Sequence, residues 1–138
     1  MTEAEPFETE GQLPPRFELE QIDDYSQYLL HTRMEILAVL RTLIQKNALV
    51  TVHFDRGNAF FLTSILSIEP DANRILVDVG SDEEINTRAL QADKLILTAV
   101  VDKIKVQFSI ASLARTEHEG RPAFVGRIPD TLLRLQRR

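Results

Sequence analysis

The hydrophobic period of this chain changes once, at Asn47, and the change limits what the chain can fold into. Ahead of it, Ile36, Leu37, Leu40, Leu43 and Ile44 recur at three- and four-residue steps, which places them on one stripe of a helix. Behind it the period is two, with Val50, Val52 and Phe54 alternating with Thr51 and His53. A parallel α/β sheet needs a helical crossover between successive strands, and no helices alternate with the strands here. One N-terminal amphipathic helix followed by short alternating runs and frequent turns reads as a mainly β chain, a small antiparallel β-barrel.

The punctuation supports that reading. Thr32-Arg33-Met34-Glu35 has the form of a capping box at the helix start, and Asn47 is suited to close the helix in the left-handed conformation. Tyr25 to Leu30 fits an extra turn or a short strand. Asp55-Arg56-Gly57-Asn58 supplies a tight turn, and Ala59 to Ile68 reads as one long strand, apolar on both faces in its first half and so buried on both in part. After the turn Glu69-Pro70-Asp71-Ala72-Asn73, the residues Ile75, Val77 and Val79 alternate against Asp78 as far as Gly80-Ser81. An acidic loop, Asp82-Glu83-Glu84, follows, with one helical turn around Asn86 to Leu90. Lys94 to Val100, Lys103 to Ala111 and Arg121 to Arg127 read as strands, Leu113 to Glu117 as a weaker one, and His118-Glu119-Gly120 as the turn of the last hairpin.

Few side chains suggest chemistry. With no cysteine there is no thiolate nucleophile, disulfide framework or zinc–thiolate site. His31, His53 and His118 are dispersed without metal-ligand spacing, and His53, on the polar side of its strand, reads as a surface histidine. No nucleophile elbow, P-loop or dinucleotide fingerprint is present, so no catalytic residues and no metal site are assigned and the chain is expected not to be an enzyme. Asp82, Glu83 and Glu84 lack calcium-loop spacing and read as a solvated loop or as a contact for a basic partner. Acidic residues outnumber Lys plus Arg by 21 to 16, a net charge of −5, which argues against DNA or RNA as a partner. The scarcity of aromatic side chains on the strands counts against an Sm- or OB-like RNA binder. There is no apolar run long enough to span a membrane and no secretory leader, so no membrane insertion and a cytoplasmic location are expected.

The two ends differ. Glu3, Glu5, Glu8 and Glu10 with Gly11 and Pro14-Pro15 make residues 1–18 read as a disordered acidic leader. Residues 19–133 then form the domain, and residues 134–138 carry Arg134, Arg137 and Arg138. Arginine donates two parallel hydrogen bonds from a planar fork, which suits phosphate and guanine edges, although an Arg-Arg pair also serves as a solvated basic tail.

The order of these pieces resembles the amino-terminal domain of the bacterial flagellar brake proteins, the module that precedes a PilZ domain. The resemblance runs from about Phe17 onward. It is carried by Ile36-Leu37-Ala38-Val39-Leu40-Arg41, the hairpin Val50 to Leu66, Leu76-Val77-Asp78-Val79-Gly80-Ser81, Lys105-Val106-Gln107-Phe108, and Ile128-Pro129 with Leu135-Gln136-Arg137-Arg138. It implies a split β-barrel of PilZ-like shape and a linker motif, R-x-x-x-R, in which Arg138 is the first arginine and Arg137 its companion. The second linker arginine and the [DN]-x-S-x-x-G element of the family's ligand site have no counterpart here. The resemblance therefore implies a chain with no cofactor of its own, cyclic di-GMP being the effector of the longer protein, bound once a downstream PilZ domain completes the site. The implied partners are flagellar motor or stator proteins, with Asp82, Glu83 and Glu84 as candidate contacts, and the implied location is the cytoplasm at the flagellar basal body. The alternative is a small-barrel protein-interaction module with no nucleotide role.

Overall fold

The computed structural model describes residues 17–136; residues 1–16, the bulk of the expected leader, and Arg137 and Arg138 lie outside the described residues. The described chain opens with a 3-10 turn (Glu18–Glu20), a short helix α1 (Ile22–Tyr25), a second 3-10 turn (Ser26–Tyr28) and a two-residue strand β1 (Leu29–Leu30). The segment that fitted either a turn or a strand is thus both in succession. Phe17 and Glu18 belong to the packed domain and not to the leader assigned to 1–18. Glu18 is fully buried and its carboxylate pairs with Lys105 Nζ at 2.7 Å, while the Leu19 amide donates to Gln107 Oε1 at 2.8 Å.

Helix α2 (Arg33–Gln45) turns Ile36, Leu37, Leu40 and Leu43 into the core. Thr32 occupies the N-cap position, but its hydroxyl makes no capping bond, so the expected capping box is not formed. Thr32 and Glu35 are both exposed, and water can satisfy the free amides there. The other end follows expectation: Asn47 has φ 51°, and Asn47 N–H donates to Ile44 O while Ala48 N–H donates to Leu43 O, both at 3.0 Å. That bond pair is a Schellman closure.

Nine further strands complete the described fold: β2 (Val50–Phe54), β3 (Ala59–Thr63), β4 (Ile65–Glu69), β5 (Arg74–Asp78), β6 (Leu95–Val101), β7 (Ile104–Ile110), β8 (Ala114–His118), β9 (Arg121–Arg127) and β10 (Leu132–Gln136). Between β5 and β6 lies helix α3 (Glu83–Leu90). The strands form a six-stranded sheet in the order β1-β10-β7-β6-β2-β3 and a four-stranded sheet in the order β4-β5-β9-β8, with every pair antiparallel. The fold is therefore mainly antiparallel β, as expected, in two sheets; among the described residues no ladder closes them into a continuous barrel.

The expected single strand from Ala59 to Ile68 is two strands that belong to different sheets and part at Ser64. The crossover is held by Thr63 Oγ1 donating to Asp78 O at 2.6 Å and Asp78 N–H donating to Ser64 O at 3.1 Å. Nor is β3 buried on both faces. Ala59, Phe61 and Thr63 are buried while Phe60 and Leu62 are exposed, because no described element packs over that face of β3. Residues of α2, β2, β3, β5, β6, β7 and β9 meet in one apolar cluster centred on Leu40, Val52, Val77, Phe108 and Phe124.

Candidate functional site

The last described strand is β10. It lies between β1 and β7, with Leu133 opposite both Leu29 and Gln107, and Gln136 opposite Ile104. Leu132 and Leu133 are fully buried, Arg134 is exposed, and Leu135 is half-buried. Two buried leucines anchor the strand, so its direction at Gln136 is set by the sheet. Beside its end is the β6–β7 hairpin turn, where Asp102 and Lys103 take φ 53° and 66°, and Asp102 pairs with Lys46 Nζ at 2.9 Å. Arg137 and Arg138, the candidate ligand arginines, follow Gln136 in sequence and are outside the described residues.

The acidic run is not a loop. Asp82 is the N-cap of α3, its Oδ1 accepting from Glu84 N–H at 2.9 Å and Ile85 N–H at 3.3 Å. Glu83 and Glu84 form the first helical turn, where carboxylates complement the helix dipole. Glu83 Oε2 accepts from Arg115 on β8, and its Oε1 accepts from Asn86 Nδ2 at 3.3 Å. The Asn86 bond first, and the Arg115 bond after it, hold the Glu83 carboxyl below the ordinary carboxylate range. Beneath this corner, buried Asn86 grips Gly80, its Oδ1 accepting from Gly80 N–H at 2.8 Å and its Nδ2 donating to Gly80 O at 2.9 Å. A Cβ on Gly80 would come within 2.8 Å of Asn86 Oδ1 and 3.0 Å of Phe61 Cβ, so the close approach requires glycine. The sequence signal for α3 was present: an Asx residue followed by two glutamates is a helix start. The Asn86–Gly80 clasp had none.

A cleft of about 600 Å³ opens where the first 3-10 turn meets the β2–β3 turn and the end of α3. Phe17, His53 and Phe54 give it rings; Arg56, Arg88 and Lys94 are balanced by Glu20, Asp55 and Asp93. Arg88 pairs with Asp55 at 3.6 Å and lies over the Phe54 ring, and Lys94 pairs with Glu20. His53 is half-buried here, against the expectation of a surface histidine. Phe17 packs edge-on at 5.4 Å between ring centroids, Phe60 lies at 6.0 Å, and the buried Nδ1 has no hydrogen-bond partner. Desolvation, with a contribution from nearby Lys105, pushes its pKa below the ordinary value. Among the described residues no three His, Cys, Asp or Glu side chains are grouped to hold a metal.

Two antiparallel sheets packed around one buried helix stripe define a mainly β module. The chain belongs to the family whose model is described as the PilZN domain of the flagellar regulator YcgR, which matches residues 28–134. It is 41% identical over 123 residues to the flagellar brake protein YcgR of Azoarcus sp. (strain BH72), a match covering 89% of this chain and 48% of that protein. With its counterpart from Nitrosospira multiformis the identity is 39%, over 84% of this chain and 45% of the relative. The chain thus spans about half the length of the curated relatives it matches. Among solved structures, the YcgR-N domain from Escherichia coli superposes with a TM-score of 0.75 at 27% identity, covering 80% of this chain and 97% of that one. Escherichia coli YcgR in complex with c-di-GMP gives a TM-score of 0.78 at 29% identity, over 83% of this chain and 49% of the other. No helix among the described residues is long and apolar enough to cross a membrane.

Proposed function

We propose that this chain is the non-enzymatic regulatory module of a cyclic di-GMP-responsive flagellar brake, positioned ahead of a PilZ domain that completes the ligand site. The observation that carries the reading is β10: a strand anchored by Leu132 and Leu133 between β1 and β7 leads in sequence into Arg137-Arg138, the pair that the family likeness marks as the start of a ligand linker. Arg137 and Arg138 supply the first part of an arginine linker that grips the dinucleotide's phosphates and guanine edges, and the anchored strand converts that grip into a fixed domain orientation. Because ordering a basic end without a barrel beside it costs entropy with little return, this chain alone binds the ligand weakly or not at all. Residues 19–133 act as the module facing the flagellar motor or stator, in the cytoplasm at the basal body. Of the acidic run, Asp82 caps α3 and Glu83 holds Arg115, which leaves Glu84 as the carboxylate presented to a basic motor surface.

Calorimetric titration of cyclic di-GMP into this chain, and into a chain extended through a following PilZ domain, tests the reading. Binding by the extended chain alone, abolished by Arg138→Ala, supports it. Silence from both favours the second reading, a protein-interaction module without a nucleotide role, for which the exposed Phe60 and Leu62 on an edge strand are the supporting observation.

A further inference from the structure

The turn between β2 and β3 holds an arginine that its backbone does not require. Asn58 N–H donates to Asp55 O at 2.9 Å, and the two residues between them, Arg56 and Gly57, take φ 56° and 86°. That is the form of a type I′ hairpin turn, whose central positions favour glycine, asparagine and aspartate. Asp55, just ahead, is also left-handed at φ 53°. Glycine and aspartate suit this conformation, whereas arginine brings a Cβ against the backbone carbonyl with no short polar group to offset it. Strain of this kind collects where a side chain is used.

Arg56 lines the cleft of about 600 Å³ formed with the first 3-10 turn and the end of α3. The other two cations there are engaged, Arg88 with Asp55 and the Phe54 ring, Lys94 with Glu20. Arg56 and Asp93 both line the same cleft, are exposed, and make no hydrogen bond or ion pair with any described residue. One guanidinium and one carboxylate are thus left over beside a wall of rings from Phe17, His53 and Phe54. The guanidinium suits an acidic group, to which it can give two parallel N–H donors. The carboxylate accepts N–H donors, and the rings take a planar body by edge or offset contact. The volume falls within the range of small-molecule sites, about 300–1,000 Å³.

We propose that this cleft is a small-molecule site for a planar ring that carries an acidic group toward Arg56 and an N–H donor toward Asp93. Two kinds of molecule have that chemistry, an aromatic amino acid and a purine mononucleotide. Amide-detected NMR titration of the full 138-residue chain with L-tryptophan and, separately, with adenosine 5′-monophosphate distinguishes them. Glycine and indole, and inorganic phosphate and adenosine, are the corresponding halves. Saturable movement of the Gly57, Arg88 and Lys94 amide signals is expected with one complete probe, at concentrations where its halves leave them still. Arg56→Asn keeps a residue suited to the turn, so the thermal midpoint should hold or rise while affinity for that probe falls about tenfold or more. Asp93→Asn should weaken the same probe. No saturable movement with either complete probe overturns the proposal, as does a half that binds as well as the whole. Affinity that ignores Arg56→Asn or Asp93→Asn overturns it too, and so does a midpoint that falls in Arg56→Asn, which would make the arginine a structural part of the turn.

Discussion

Gly80 and Asn86 show how a single residue can decide a local structure. Replacing Gly80 with alanine forces a Cβ into Asn86 Oδ1 and Phe61, and the expected cost is about 1–3 kcal/mol in chemical denaturation. Asn86→Leu removes the clasp and leaves buried Gly80 amide and carbonyl groups unpaired, for a loss of about 1–3 kcal/mol per group. His53 sets a pH dependence. Its pKa is lower folded than unfolded, so its contribution to stability is complete above 6.5 and is lost as pH falls below 6.5 toward the folded value. A denaturation midpoint that declines over that window, with a shallower decline in His53→Phe, is the expected result. Glu83, also lowered, contributes above 4.5 and loses its contribution further down.

At the scale of elements, the first 3-10 turn is held by a buried ion pair and by the Leu19–Gln107 hydrogen bond. Glu18 and Lys105 are 1% and 13% exposed, and removing one partner takes from the other charge a close compensating contact in the interior. Lys105→Met is therefore expected to destabilise the domain by about 3–5 kcal/mol, whereas Glu18→Met with Lys105→Met should recover most of the loss. Amide exchange at Leu19, bound to Gln107, reports whether the turn lifts in the single variant. The helix α2 was legible element by element, because its stripe and its Asn47 closure are local patterns. The division of Ala59–Glu69 into two strands was not. The apolar run that suggested burial on both faces is also what an edge strand and an exposed patch look like, and only the sheet order distinguishes them.

For the molecule as a whole, the brake reading turns on β10. If the brake reading holds, a proline inserted by Leu135→Pro on β10 should uncouple ligand binding from domain orientation. It would remove a strand amide and loosen the exit. Small-angle scattering of the extended chain with and without cyclic di-GMP is expected to show a change in the parent that the variant lacks. The antiparallel β class, the place of α2 and most turns were determined by the sequence itself, because period, glycine and asparagine act within a few residues. The acidic run illustrates the limit: its composition marked a charged surface, yet Asp82 became a cap and Glu83 a clamp on Arg115 once β8 arrived beside α3. Which face of the six-stranded sheet is covered, and by what, was decided only by tertiary structure. Burial of Glu18, the unpaired nitrogen of His53 and the exposure of Phe60 depend on strands distant in sequence, and no local pattern encodes that proximity.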